Sequence, residues 1–336
     1  MKVLQKVFHG SNNMPTITKS KNKSSFSRRS LGTKSKDTFS SLTVRLSPPS
    51  KSRLGNNPKT PKALRDIGEE IRRLTIEMSE RSHSSETGSS LSISDILAVL
   101  YFDTLNVDPR YPEDPKRDRF VLSKGHGAAA YYATLALRGY FPLKKLLGHR
   151  MNGGTFHAHP SRSAAPGVEA STGSLGHGLS IAVGMAYALT DMKRKVYVLI
   201  GDGECNEGSV WEAVMFAGNH QLKNIVAIID DNKFQGFGAT KGTNKHDLGT
   251  QWKAFGWKVI HVDGHNSKEM VKVFREAKRT TVPVVVIADT IAGKGIPDIE
   301  RTLGAHYYVP NANDVAIARK NGKTPRLNGR LRGVIS

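Results

Sequence analysis

The chain has 336 residues, of which 38% are apolar, so one large core is expected. A single cysteine, Cys205, excludes an intramolecular disulfide and suits a reducing, cytoplasmic location, and no apolar run reaches the roughly 18 residues of a membrane span. The formal charge of +21 lies at the ends: residues 1–60 hold 13 basic residues and one acid, residues 319–336 hold six and none, and residues 61–318 hold 31 and 28. A nearly neutral middle excludes a folded basic groove as the origin of this charge, so no nucleic-acid partner is expected.

Both basic ends are predicted to be tails. Residues 1–60 contain twelve serines and few large apolar residues, a composition that cannot offset the entropy of ordering the chain, so disorder is expected. Transit peptides share this bias, although the first arginine is Arg28, and import into an organelle therefore stays open. Residues 319–336, which include Pro325 and several Gly and Asn residues, are likewise predicted to form only a tail.

Helical periodicity dominates the region that follows Thr60. Thr60 can cap a helix whose first residue is Pro61, a second helix is predicted after Ser94, and a third from Ala128 to Arg138. In the first of these, apolar residues recur at helical spacing on one face: Leu64, Ile67, Ile71, Leu74 and Met78.

Short apolar runs separated by helical stretches indicate buried parallel strands further along the chain. These runs are Val196–Ile200, Ile225–Ile229, Val259–Val262 and Val284–Ala288. Their alternation with helices predicts an α/β fold: a doubly wound, mostly parallel sheet with helices on both faces. Ligands of such sheets bind beyond the carboxyl ends of the strands, so functional residues are expected there.

Two of these strand ends carry residues suited to a magnesium ion and a diphosphate. Gly201-Asp202-Gly203 follows the first run, and Asn232 follows the second, with 28 residues between Gly203 and Asn232. The glycines permit a tight turn and close approach to a phosphate, Asp202 offers an anionic oxygen, and Asn232 offers a neutral one. With two diphosphate oxygens, a water and a main-chain carbonyl, these ligands would complete the octahedron that Mg²⁺ prefers.

This arrangement resembles the signature of thiamine-diphosphate enzymes, and further segments are similar to those of the transketolase family. The segments cover about residues 61–310 and are RDRFVLSKGHG (117–127), HAHP (157–160), PGVE (166–169), TGSLGHG (172–178) and GDGECNEGSVWE (201–212). The resemblance implies a thiamine-diphosphate-binding domain over residues 61–318. It further implies that the chain is the N-terminal, diphosphate-binding subunit of a split transketolase.

Residue by residue, the resemblance implies specific roles. It implies that Asp202, Asn232 and the main-chain carbonyl of Phe234 bind Mg²⁺. His126 and His159 would line the pocket beside the thiazolium and the sugar hydroxyls, and His306 would occupy the second diphosphate and acceptor-side histidine position. Glu207 would face the partner chain's catalytic glutamate. The residues implied to contact the cofactor are Gly201, Asp202, Gly203, Glu204, Asn232, Phe234, Gly173, Leu175, His126 and His177.

The sequence departs from the family pattern at Glu86, where the family has a histidine. That histidine contacts the substrate carbonyl oxygen, and a carboxylate there would repel developing negative charge unless it were protonated. Either His83 substitutes from one helical turn upstream, or the substrate differs from ordinary pentose phosphates.

The resemblance also implies a partner. In the family, the glutamate that hydrogen-bonds the aminopyrimidine ring lies in a second domain, which residues 319–336 are too few to encode. We therefore expect a second subunit with the pyrimidine-binding domain, two copies of each chain, and transfer of a two-carbon ketol unit between sugar phosphates.

Three alternatives stay open. A thiamine enzyme that decarboxylates pyruvate, such as a deoxyxylulose-phosphate synthase, would grip the diphosphate in a similar way, although the three histidines favour sugar hydroxyls. A nucleic-acid-binding protein would use the basic tails, which lack the aromatic residues that stack on bases. A catalytically silent subunit would account for Glu86.

Overall fold

The computed structural model describes residues 60–189, 193–243 and 245–322. Its strands are β1 (Arg119–Leu122), β2 (Val196–Gly201), β3 (Ile225–Asp231), β4 (Phe234–Gln235), β5 (Gly238–Ala239), β6 (Lys258–Asp263) and β7 (Val284–Asp289). Five of them form a parallel sheet in the order β1-β2-β3-β7-β6, whereas β4 and β5 form an antiparallel hairpin. Of the disordered tail predicted for residues 1–60, residues 1–59 lie outside the described residues, as does the predicted tail beyond residue 322.

The helices lie between these strands and on both sides of the sheet. The α-helices are α1 (Pro61–Arg81), α2 (Thr87–Ser92), α3 (Ser94–Val99), α4 (Ala128–Arg138), α5 (His177–Ala188), α6 (Gly208–Asn219), α7 (Thr240–Thr243), α8 (Leu248–Ala254), α9 (Ser267–Ala277) and α10 (Ala312–Asn321). Short 3-10 turns at Gly125–Gly127, Gly203–Asn206 and Leu303–His306 become important at the site. Within the described ranges, no helix is both long enough and apolar enough to cross a membrane.

Side chains of the central strands alternate between two cores. In β3, Val226 and Ile228 pack with α1, α3, α4 and α9, whereas Ile225, Ala227 and Ile229 pack with α5, α6 and α8. Burial on both faces is why these strands are continuous apolar runs in the sequence. The predicted doubly wound α/β fold is confirmed.

The structure confirms the predicted residues at the start of α1 and at the end of α4. The hydroxyl oxygen of Thr60 accepts a hydrogen bond from the N–H of Ala63 at 3.2 Å, and Pro61 is the first residue of α1. Helix α4 spans the predicted residues, and Gly139 ends it with φ of +100°, a conformation that favours glycine. The apolar stripe predicted for α1 is buried.

Several elements were not predicted from the sequence, among them β1 and α5, and one boundary differs. Strand β1 has four residues and begins with Arg119, so its apolar run is too short to stand out. Helix α5 has no charged residue, so no polar side reveals its period. Helix α10 continues past residue 318, the predicted domain end, and Arg319 Nε donates to Glu77 Oε1 of α1 at 2.8 Å.

Candidate functional site

The predicted site residues lie where the parallel strands end. The turn Gly125–Gly127 follows β1, Asp202 follows β2, Asn232 follows β3, and the Leu303–His306 turn lies in the segment after β7. Parallel strands end at a common edge of the sheet, so the fold brings these distant segments together.

Asp202 is a buried carboxylate whose hydrogen-bond donors are neutral. Its Oδ1 accepts from the N–H of Gly203 at 2.9 Å, and its Oδ2 accepts from the main-chain N–H of Lys233 at 2.9 Å and the hydroxyl of Thr240 at 2.7 Å. Burial raises the pKa of Asp202 to about 7; the Thr240 hydrogen bond opposes this shift and the nearby negative charge of Asp230 adds to it. A bound cation would stabilise the ionised form.

Asn232 stands beside Asp202 because of the strand register. Gly201 of β2 pairs with Asp230 of β3, and the N–H of Asp202 donates to the carbonyl of Asp230 at 3.2 Å. The amide of Asn232 donates to Asp230 Oδ2 at 2.8 Å, while its Oδ1 accepts from the N–H of Phe234 at 3.0 Å. The sheet thus brings the predicted magnesium ligands to neighbouring strand ends.

Asp230 organises this edge, and the sequence analysis did not single it out. Its carboxylate accepts hydrogen bonds from Lys124 Nζ at 2.5 Å, the Ser92 hydroxyl at 2.8 Å, the Thr290 hydroxyl at 2.5 Å and the Asn232 amide. Burial alone would raise the pKa of Asp230, but the Lys124 ammonium and these hydrogen bonds hold it below its usual value. The available signal was a lysine before the Gly-His-Gly turn and an aspartate within an apolar strand.

Glu204 connects two glycine-containing loops. Its Oε1 accepts from the Ser123 hydroxyl at 2.5 Å and the N–H of Gly176 at 2.8 Å, and its Oε2 accepts from the N–H of Gly201 at 3.0 Å. Since the side chain is buried and both oxygens have protein donors, Glu204 holds the loops in place. Glu204 therefore positions Gly176 and Gly201, and its predicted contact with the cofactor stays a prediction.

The three predicted histidines lie together. The ring centroids of His126 and His306 are 5.9 Å apart. The His159 ring lies against two glycines: a Cβ atom on Gly125 would be 2.9 Å from His159 Cδ2, and one on Gly173 would be 3.4 Å from His159 Cγ. Glycine at these positions leaves room for the ring next to the main chain.

The pKa values of two of these histidines lie below the ordinary value, which favours their neutral form. Burial lowers the pKa of His126 to about 3, and the positive charge of Lys124 adds to the shift. Burial also lowers the pKa of His306, while the carboxylate of Glu86 opposes that shift. Neutral imidazoles can both donate and accept hydrogen bonds, as recognition of sugar hydroxyls requires.

The remaining predicted residues lie around two loops that meet. Gly176 has φ of +83°, and a Cβ atom there would be 2.9 Å from Glu207 Cβ. Leu175 is partly buried, whereas His177 and Glu207, at the starts of α5 and α6, are exposed. These residues form one open side of the site.

His83 and Glu86 lie in the turn between two helices. Helix α1 ends at Arg81 and α2 begins at Thr87, so His83 is not one helical turn upstream of Glu86, and its side chain is exposed. Glu86 is partly buried, and its charge acts on His306. Of the two explanations for Glu86, the geometry thus disfavours substitution by His83.

The parallel sheet, the paired Asp202 and Asn232 and the glycine-lined histidines define a thiamine-diphosphate-binding α/β protein. The family described as "Transketolase, thiamine diphosphate binding domain" matches residues 64–326. The chain belongs to the transketolase family.

Similarity to individual proteins agrees with this assignment. The chain is 44% identical over 240 residues to a 6-deoxy-6-sulfo-D-fructose transketolase subunit of a Clostridium species, covering 70% of this chain and 87% of that one. It is 41% identical over 252 residues to one of the subunits of an apulose-4-phosphate transketolase from Actinobacillus succinogenes, covering 74% and 91%. The solved transketolase of Campylobacter jejuni superposes with a TM-score of 0.72 at 30% identity, covering 79% of this chain and 44% of that one.

The share of each relative that the chain covers differs between the relatives named as subunits and the solved enzyme. The chain spans nearly the whole of two relatives named as subunits, but less than half of the solved enzyme. The predicted family is confirmed, and ketol transfer is favoured over the pyruvate-decarboxylating and nucleic-acid-binding alternatives. The roles of the individual site residues stay predictions.

Proposed function

We propose that this chain binds thiamine diphosphate through Mg²⁺ and, together with a second subunit, transfers a two-carbon ketol unit between sugar phosphates. The observation that carries the proposal is the meeting of Asp202, Asn232 and three histidines at one edge of the sheet. Metal-anchored diphosphate binding and hydroxyl recognition would thereby be combined in one cleft.

The residues present fit a magnesium ion. Asp202 accepts hydrogen bonds only from neutral groups among the described residues, whereas the neighbouring Asp230 is paired with Lys124. Asn232 Oδ1 and the carbonyl oxygen of Phe234 add hard neutral donors, which is the ligand chemistry that Mg²⁺ prefers. The pKa of about 7 for Asp202 fits the same conclusion, because a buried carboxylate without a cationic partner favours binding of a cation.

The glycine turns fit the organic cofactor. Gly203 follows Asp202 at the start of a 3-10 turn, and Gly173 and Gly176 shape the loop before α5. Without Cβ atoms, these segments let the main chain approach a ligand closely. When bound, thiamine diphosphate supplies the carbon nucleophile needed to break and form a carbon–carbon bond of a sugar.

The chain's own residues would bind and orient the sugar. His126, His159 and His306 would exchange hydrogen bonds with substrate hydroxyls and move protons at these oxygens, as imidazole rings can. Lys124 and Asp230, which are fully buried, would keep the His126 turn fixed relative to Asn232.

A second subunit would complete the site. Two relatives that match this chain over most of their length are named as subunits. Glu207 and Leu175 lie on the open side of the site, from which α5 and α6 begin, and these helices leave Ile181, Tyr187, Met215 and Phe216 exposed. Exposed apolar surface of this kind indicates a protein interface. We propose that the partner covers it, supplies the pyrimidine-side glutamate and assembles as two copies of each chain.

The first test is metal-dependent cofactor binding by the Asp202→Ala variant, measured by calorimetry. We expect the Mg²⁺-dependent affinity for thiamine diphosphate to be lost, because only neutral ligands would remain. Asp114→Ala, which changes an exposed aspartate before β1, is the matched control and should bind as the unmodified chain does. Unchanged affinity in Asp202→Ala would contradict the proposal.

A further inference from the structure

Glu86 has a main-chain conformation that a glutamate adopts at a cost. Its φ of 68° and ψ of 17° lie in the left-handed region, where Gly and Asn are favoured. Glu86 makes no capping hydrogen bond at the start of α2, so capping does not explain the choice of residue. Strain of this kind at the edge of a binding site points to a functional reason for the side chain.

The packing of α2 brings Glu86 to the histidine cluster. Gly88 touches the turn that carries His306 so closely that a Cβ atom on Gly88 would be 2.5 Å from the carbonyl oxygen of Ala305. At the other side of α2, the Ser90 hydroxyl donates to the carbonyl oxygen of His126 at 3.3 Å. Helix α2 is thus fixed against both histidine turns, with Glu86 immediately before its first residue.

The carboxylate of Glu86 has unused capacity to accept hydrogen bonds. It is partly buried, and in the described part of the chain it has no hydrogen bond and no ion pair, although its charge acts on His306. By contrast, the site carboxylates of Asp230 and Glu204 accept hydrogen bonds from protein donors on both oxygens. An ionised carboxylate accepts hydrogen bonds and repels anions.

We propose that Glu86 determines donor specificity by accepting a hydrogen bond from a hydroxyl of the donor sugar beside His306, and by disfavouring donors with an anionic group at that position. The inference rests on the proposed ketol transfer. It selects the second explanation for the departure at Glu86, a different substrate preference. The substrate class is a polyhydroxy ketose that presents a neutral hydroxyl-bearing carbon next to its ketol group.

Two donors with the same ketol group test whether Glu86 favours a neutral hydroxyl and disfavours an anionic group next to the ketol carbonyl. In erythrulose the ketol carbonyl is bonded to a hydroxyl-bearing carbon, whereas in hydroxypyruvate it is bonded to a carboxylate. The experiment measures kcat/KM for both donors in the assembled two-chain enzyme. Its variants are Glu86→Gln, which removes the charge and nearly keeps the shape, and Glu113→Gln, an exposed control before β1.

We expect Glu86→Gln to shift the ratio of the two kcat/KM values toward hydroxypyruvate by roughly ten- to a hundredfold, the scale of a like charge removed near the protein surface. The Glu113→Gln control should leave the ratio unchanged. An equal change for both donors, or no change, would overturn the proposal. Turnover of either donor by the unmodified enzyme tests ketol transfer separately, so the two claims can fail independently.

Thermal unfolding of the full chain, without the partner, tests whether strain is tolerated at Glu86. Glu86→Gly should raise Tm by about 2 °C, because relief of the left-handed strain outweighs the entropic cost of glycine. The same variant should lose the donor preference in the assembled enzyme. A lower Tm would show that Glu86 is kept for stability, and an unchanged Tm would show that its conformation carries no net cost; either result would contradict the functional explanation.

Discussion

Two helical layers cover the sheet, and they differ in the surface that they present to solvent. In the layer of α1, α3, α4 and α9, the exposed side chains of α9 are all charged, and Glu276 of α9 pairs with Lys258 of β6. In the other layer, α5 has no charged residue and α6 has only Glu212. There Tyr187 is 56% exposed, Met215 52% and Phe216 40%.

This difference indicates which helical layer is exposed to solvent and which one contacts another chain. A surface helix normally has one apolar and one polar side, and a helix that is apolar all round is normally buried all round. The rings of Tyr187, Phe216 and His220 contact one another in edge-to-face or tilted orientations, with centroids 4.2 to 5.5 Å apart, and form an aromatic cluster on the apolar layer. The layer with α5 and α6 therefore has the character of an interface, and it begins at the loops of the cofactor site.

The largest expected effect comes from placing a charge on the apolar layer. Phe216→Asp should weaken association with the second subunit by at least about 100-fold, because an unpaired charge would be buried at the interface. Fluorescence-detected titration or analytical ultracentrifugation measures the affinity. Lys272→Asp, on the exposed side of α9, is the control and should associate normally. Equal behaviour of the two variants would remove the distinction between the layers.

A smaller effect is expected on the pH dependence of the chain's own free energy of unfolding, which is measured without the second subunit. The pKa of His126 is about 3 in the folded chain, below the ordinary value of 6.5, so the unfolded chain binds a proton more readily. The free energy of unfolding should therefore fall as the pH is lowered from 6.5 toward 3. Between pH 8 and pH 5 the unmodified chain should lose about 2 kcal/mol more than His126→Asn does.

Denaturant titrations of the two chains at both pH values measure this difference. Parallel loss in the two proteins would mean that His126 is as easily protonated in the folded chain as in the unfolded one.

No effect is expected from removing residues 1–58. The sequence there has no apolar periodicity, and the family match begins at residue 64. A chain starting at Lys59 should have the same Tm and the same activity with the partner as the full chain. Loss of either would assign the basic segment a structural or assembly role.

Much of the fold follows from local patterns in the sequence. The strands β2, β3, β6 and β7 and the helices α1 and α4 were predicted because each is long enough to show its own period. Strand β1 was missed because only three apolar residues follow Arg119, and its pairing with β2 depends on distant contacts. Helix α5 was missed because its outer side, like its inner side, is apolar.

For the site, the sequence predicted which residues take part, but not the hydrogen bonds and ion pairs that join distant segments. Asp202 and Asn232 were predicted from their spacing after two apolar runs, and the three histidines from the resemblance to the transketolase family. The Lys124–Asp230 pair joins residues 106 positions apart, and the loop contacts of Glu204 join three segments, so neither could be predicted from local spacing. The conformation of Glu86 depends on how α2 packs against the His306 turn, which the sequence pattern does not indicate.

We expect this chain to act as one half of a two-chain transketolase. The most direct measurement mixes the purified chain, saturated with thiamine diphosphate and Mg²⁺, with the second subunit obtained by co-purification, and assays two-carbon transfer from a ketose donor. We expect no turnover by either chain alone and full turnover by the mixture. Full turnover by this chain alone, shown by mass spectrometry to be free of other subunits, would contradict it.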